Sequence, residues 1–196
     1  MAVTEKGYHS LSLKDGKLIP IYDPEETMTN SRFNDGKCDP QGRFWAGTKD
    51  LEDTPGRGSL YRLDSDYSCR TMIPNVTISN GLAWSPDRTK MYYIDSAAEQ
   101  VTAFDYDDPT GEITNPRCVI DFKPEEGWPD GMTIDTEGML WIAHWNGWQV
   151  SRWNAQTGQC LERVSVPVAL VTSCVFGGPA LRTLYITTAT CGLTED

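Results

Sequence analysis

Asn34-Asp35-Gly36-Lys37-Cys38-Asp39-Pro40-Gln41-Gly42-Arg43-Phe44-Trp45-Ala46-Gly47 reads as a short strand entered through polar residues and a glycine, closed by a Pro/Gly turn and continued as an aromatic strand. The same grammar returns at Ser79-Asn80-Gly81, through Ser85-Pro86-Asp87 to Tyr92-Tyr93-Ile94. It returns again at Pro129-Asp130-Gly131, through Asp135-Thr136-Glu137-Gly138 to Leu140-Trp141-Ile142. A fainter copy runs from Thr172-Ser173-Cys174 through Gly177-Gly178-Pro179 to Leu184-Tyr185-Ile186. Trp45, Tyr92, Trp141 and Tyr185 follow one another at 47, 49 and 44 residues. A period of that length, filled with short strands, predicts an all-β fold of propeller blades.

Working outward, residues 1–30 predict three strands: Ala2-Val3-Thr4, an alternating Tyr8–Leu13, and Leu18–Tyr22 after a tight turn at Asp15-Gly16. Full four-stranded units are expected at about 31–77, 78–127 and 128–170, with blade remnants at 1–30 and 171–196, together one partial β-propeller domain. Almost no segment carries the 3.6-residue apolar period of a helix. A β-sandwich also has many short strands, but it would not hold a super-period near 47 residues.

The 196 residues carry a formal charge of −11 and no Lys/Arg cluster, which argues against nucleic-acid partners. No apolar run reaches the roughly 20 residues of a membrane span, and Met1-Ala2-Val3-Thr4-Glu5-Lys6 has no secretory apolar core. A cytoplasmic protein with no membrane partner is the expectation. Cysteines 38, 69, 118, 160, 174 and 191 form no C-x-x-C pair and are expected as reduced thiols.

Asn34, Asn80, Asp130 and Ser173 each occupy the entry of an innermost strand, so a propeller would bring them together around its axis. A ring of amide and carboxylate oxygens suits a hard divalent cation such as Ca²⁺, Mg²⁺ or Mn²⁺. Taken singly, Asn-Gly and Asp-Gly are also common turn residues. The tight turns of these repeats, however, come a few residues later, at Asp39-Pro40, Ser85-Pro86 and Asp135-Thr136. His144 and His9 read as packing or hydrogen-bonding residues, and no Gly-x-Ser-x-Gly elbow supports a serine hydrolase. Most tryptophans fit packing between blades, whereas Trp128, directly before Pro129-Asp130, could wall a pocket.

Ser31-Arg32-Phe33-Asn34-Asp35-Gly36-Lys37 and Gly42-Arg43-Phe44-Trp45-Ala46-Gly47-Thr48 resemble the regucalcin (senescence marker protein) and gluconolactonase family. Ile78-Ser79-Asn80-Gly81-Leu82, Tyr92-Tyr93-Ile94-Asp95-Ser96, Pro129-Asp130-Gly131-Met132 and Thr172-Ser173-Cys174 to Phe176-Gly177-Gly178 extend the likeness over nearly the whole chain. The resemblance implies a six-bladed propeller that hydrolyses sugar lactones with one divalent cation (Ca²⁺, Zn²⁺, Mn²⁺, Mg²⁺ or Fe²⁺). It implies metal ligation by Asn80 and Asp130, general-base catalysis by Asp130, and lactone binding by Arg32, Asn34 and Glu52. The family's third metal ligand, a glutamate of the first blade, has no counterpart here, and neither Glu5, Glu25 nor Glu26 stands in matching context. The chain therefore reads as truncated at both ends. Weakened or silent metal binding, and self-association through open sheet edges, are the alternatives that follow.

Overall fold

The computed structural model describes residues 1–192, so the last four residues of the expected remnant 171–196 lie outside the described residues. The chain forms two compact units, Met1–Asn80 and Gly81–Asp196. Their boundary falls inside one strand. Every sheet is an antiparallel meander in chain order, as the repeat predicts for blades.

In the first unit, β1 (Ala2–Thr4), β2 (Gly7–Leu11) and β3 (Leu18–Tyr22) make a three-stranded sheet. A four-stranded sheet follows: β4 (Ser31–Cys38), β5 (Phe44–Asp50), β6 (Gly58–Leu63) and β7 (Cys69–Val76). β5 and β6 are buried on both faces, and Phe44-Trp45-Ala46-Gly47 and Leu60-Tyr61 accordingly show no alternation of apolar with polar residues. β7, the last strand of that sheet, is largely exposed. Tyr8, Phe33, Ala46, Tyr61 and Leu63 form one core cluster, with the Tyr8 ring edge-on to Phe33 at 5.0 Å and to Phe44 at 5.7 Å. Edge-to-face geometry sets the electropositive rim of one ring against the face of the other.

The second unit continues β8 (Ser79–Trp84) into β9 (Lys90–Asp95), a 3₁₀ turn at Ser96–Ala98, β10 (Gln100–Asp107) and β11 (Glu112–Asp121). β12 (Trp128–Ile134), β13 (Leu140–Trp145), β14 (Gln149–Asn154) and β15 (Gln159–Ser165) form the next sheet. β16 (Val171–Gly177) and β17 (Thr183–Thr188) pair as a two-stranded ladder. Ile94, Val101, Ile120, Phe122, Met132, Leu140, Ile142 and Trp153 anchor its larger core cluster. All six cysteines are free thiols.

The turns after β4, β8 and β12 are each built around one side chain. Asp39 Oδ1 accepts the Gln41 and Arg43 backbone N–H groups at 3.0 and 2.9 Å, while Oδ2 accepts Arg43 Nε at 2.6 Å and Trp45 Nε1 at 3.0 Å. Asp135 repeats the device in the second unit, accepting from Glu137 N and Met139 N on one oxygen and from Trp141 Nε1 and Arg152 Nε on the other. An arginine lies over the indole in both copies, Arg62 on Trp45 and Arg152 on Trp141. In the copy between β8 and β9 a hydroxyl stands in: Ser85 Oγ accepts from Thr89 N and Lys90 N and donates to Asp87. At Trp45 and Trp141 the aromatic periodicity of the sequence thus marks the indole that donates to the turn carboxylate.

His144 is fully buried in β13. Trp153 Nε1 donates to Ser151 Oγ at 2.5 Å, Ser151 Oγ lies 2.6 Å from His144 Nε2, and His144 Nδ1 lies 2.8 Å from the Glu126 carbonyl. With Nδ1 donating to that carbonyl, Nε2 accepts from Ser151, and the imidazole is held neutral. Burial pushes its pKa down. The chain of bonds ties the segment before β12 to β13 and β14, so His144 is a structural residue, as its sequence context predicts.

Candidate functional site

Three innermost strands break register at or beside the predicted positions. On β4, Phe33 pairs with Thr48 and Asp35 with Gly47, so Asn34 is a surplus residue. On β12, Pro129 pairs with His144 and Met132 with Ile142, so Asp130 and Gly131 face a single residue of β13. On β16, Val171 pairs with Thr188 and Ser173 with Thr187, leaving Thr172 surplus. A bulge re-aims a side chain out of the pleat, and bulges recur beside active sites. The repeat therefore carries the same distortion where the polar residues sit. In the fourth copy the bulged residue is Thr172, one position before the Ser173 read from the sequence.

In the first unit, Asn34 Nδ2 donates to the Ser79 carbonyl at 2.9 Å and to Asn80 Oδ1 at 3.1 Å. These bonds fix which end of each amide is oxygen, and Asn80 is buried at 6% exposure. Burial pushes the carboxyl of the neighbouring Asp35 up, against the pull of Lys37 and of the Gly36 N–H. Arg32 Nη1 donates to the Phe33 carbonyl at 2.9 Å. Arg32 also lines a cavity of about 750 Å³ with Glu5, Tyr22, Glu25, Ser31 and Thr48, a volume suited to a small ligand. Glu52 is exposed in the turn after β5, its backbone N–H bonded to Asp50. Among the described residues no hydrogen bond or ion pair joins its carboxylate to Arg32 or Asn34.

In the second unit, the inner strands approach one another so closely at Gly81 and Gly131 that only glycine fits. A Cβ on Gly81 would stand 2.7 Å from Met132 Cβ and 2.8 Å from the Asp130 carbonyl oxygen. One on Gly131 would overlap the Ser173 side chain and stand 2.8 Å from the Thr172 carbonyl oxygen. The glycine after Asn80 and the glycine after Asp130 are therefore packing requirements, not turn residues. Ser96 Oγ donates to the Pro129 carbonyl at 2.6 Å and steadies the entry to Asp130. Trp128 is 45% exposed, with its indole N–H on Glu99 Oε1 at 3.2 Å.

Sequence reasoning passed over Glu25. Its carboxylate is 7% exposed and accepts from Ser31 Oγ, from Thr48 Oγ1 at 2.9 Å and from Tyr61 OH at 2.8 Å. One carboxylate thus gathers β4, β5 and β6 just where Arg32 and Asn34 begin. The three donors are far apart in the sequence, and no local motif announces them.

The whole span 1–190 matches the model of the family described as SMP-30/Gluconolactonase/LRE-like region. The chain belongs to that family. "Putative sugar lactone lactonase YvrE" of Bacillus subtilis (strain 168) is 43% identical to this family member over 96% of the chain and 65% of its own length. Regucalcin of Oryctolagus cuniculus is 45% identical over 95% of the chain and 64% of its own length. The solved structure of a regucalcin from Agrobacterium tumefaciens str. C58, titled a calcium-binding protein, superposes with a TM-score of 0.93 at 28% identity, covering 98% of the chain and 65% of its own. The SMP-30/gluconolactonase chain thus spans just under two thirds of the length of these relatives. Its fold is the all-β propeller type of the family, as the repeat predicts. No helix among the described residues is long and apolar enough to cross a membrane.

The Asn80 amide oxygen is oriented by Asn34, and amide and carboxylate oxygens are the donor type that suits a divalent cation. Among the described residues no group of three or more His, Cys, Asp or Glu side chains gathers to hold a metal.

Proposed function

We propose that this chain hydrolyses sugar lactones in a divalent-metal-dependent reaction. The observation that carries the reading is the shared bulge: Asn34 and Asp130 stand at the same distorted position of two repeats, in a family whose relatives include a sugar lactone lactonase by name. Arg32 and Asn34 bind and orient the lactone, with Glu52 reaching it from the turn after β5. Asn80 and Asp130 hold the cation. When bound, the cation supplies Lewis-acid polarisation of the lactone carbonyl. Asp130 acts as the general base, taking a proton from the attacking water on a carboxylate oxygen. Asn34 keeps the Asn80 amide oxygen pointed correctly throughout.

The second reading is a metal-binding propeller without turnover. Hydrolysis of D-glucono-1,5-lactone by the purified chain, with and without added Mn²⁺, Zn²⁺ or Ca²⁺, separates the two. The lactonase reading expects a metal-dependent rate well above spontaneous opening. A folded chain that binds metal and gives only the background rate supports the second.

A further inference from the structure

Arg32 shares its cavity with an apolar lining. Tyr22, Met28 and Leu51 border the same space, and these large hydrophobic side chains are 49%, 46% and 51% exposed. One exposed Leu or Met is ordinary, but three around one cavity form a surface that favours contact. The backbone that carries them is pinned. Met28 N–H donates to the Glu25 carbonyl at 2.7 Å, and Leu51 N–H donates to the Asn30 carbonyl at 2.9 Å. Asn30 Nδ2 donates to Asp50 Oδ2 at 3.0 Å, and Glu25 N–H donates to Asp23 Oδ1 at 2.9 Å. The connection from β3 to β4 is thus tied to the end of β5. Four carboxylates line the cavity, Glu5, Asp23, Glu25 and Glu26, against two cations, Lys6 and Arg32. That balance disfavours a phosphorylated ligand. The volume of about 750 Å³ is also more than one sugar ring fills.

We infer that this cavity receives an apolar substituent of the substrate, a sugar lactone bearing an alkyl chain away from its carbonyl; this rests on the lactonase reading above. Arg32 holds the polyol end, and Tyr22, Met28 and Leu51 take the chain. An unsubstituted sugar would leave those three side chains in water. A plain hydrocarbon would strip water from Arg32 and the carboxylates and return no hydrogen bond. An amphipathic ligand matches both parts of the lining. Burial of its methylenes adds affinity that the bare sugar lacks, and the pinned backbone limits the entropy lost on binding.

The test compares D-glucono-1,5-lactone with its 6-O-hexyl ether on the wild-type chain, on the double variant Met28→Ser/Leu51→Ser and on Met28→Leu. The inference expects the wild type to favour the ether about tenfold in kcat/KM. The double variant brings that ratio to within about twofold of one, and Met28→Leu keeps it. Should the double variant not fold, Met28→Ser alone must still lower the ratio about threefold. Calorimetric binding of D-gluconate and 6-O-hexyl-D-gluconate gives the same comparison without turnover. Equal values for the two ligands of each pair in the wild type, or a preference that survives in the folded serine variants, overturn the inference. A chain that opens neither lactone yet binds the hexyl gluconate more tightly overturns the lactonase reading and leaves the cavity assignment standing.

Discussion

Asn34 donates its side-chain N–H to the Asn80 amide oxygen across 3.1 Å, and its second bond, to the Ser79 carbonyl at 2.9 Å, locks the donor in place. The pair links two copies of the repeat that are 46 residues apart. It also divides the labour between them: Asn34 supplies nitrogen, and Asn80 presents oxygen. Outer partners of this kind set the orientation of a metal ligand, and their loss costs about 10–100-fold in affinity. Asn34→Ala is therefore expected to weaken Mn²⁺ binding by about that factor in calorimetric titration while the circular dichroism spectrum stays unchanged. Wild-type affinity in the variant would separate Asn34 from the cation site.

Asp39 is the stability counterpart. It is 5% exposed and accepts two backbone N–H groups, a guanidinium and an indole. Asp39→Asn turns a nitrogen toward donors and removes the negative charge that Arg43 Nε meets at 2.6 Å, a loss of about 3–5 kcal/mol for a buried pair. Thermal unfolding should shift down by about 6–20 °C for a chain of this size. A shift within about 2 °C would show that the Asp39 cluster is not what holds the turn.

Glu25 couples stability to substrate. Glu25→Gln keeps the shape but offers one acceptor oxygen in place of two, with three hydroxyl donors converging. The expected loss is about 1–3 kcal/mol, seen in the urea midpoint. Because Ser31 and Thr48 flank the Arg32 cavity, KM for the sugar lactone should rise several-fold with kcat nearly unchanged. A fall in kcat alone would contradict that placement.

His144 sets a pH dependence. Its folded pKa is depressed by burial, so the folded chain resists a proton that the unfolded chain accepts near pH 6.5. Its contribution is present above about pH 6.5 and is lost as the pH falls from there through the folded pKa. The urea midpoint should therefore decline on acidification from pH 7 to pH 5.5, and His144→Gln should flatten that decline. An identical slope in the variant would mean that His144 does not govern it.

Much of the fold was legible because the repeat writes itself in residues with local jobs. Gly42 and Gly138 turn the chain, Trp45 and Trp141 follow at a fixed distance, and strands form between them. The role of the turn carboxylates was not legible, since Asp39 and Asp135 look like ordinary turn formers until the indole and guanidinium are placed around them. The site divided in the same way. Asn34, Asn80 and Asp130 could be read as strand entries, but a bulge is a property of two strands in register. Only the pairing of Val171 with Thr188 and of Ser173 with Thr187 moved the fourth position to Thr172. Glu25 was invisible because its three partners come from three strands.

The most direct test of the account is lactone hydrolysis by the wild-type chain and by Asp130→Asn, measured with saturating Mn²⁺ on D-glucono-1,5-lactone. The account predicts a metal-dependent rate in the wild type, its loss by about 100-fold or more in Asp130→Asn, and matching thermal unfolding for both proteins. Wild-type turnover in a folded Asp130→Asn variant would contradict it.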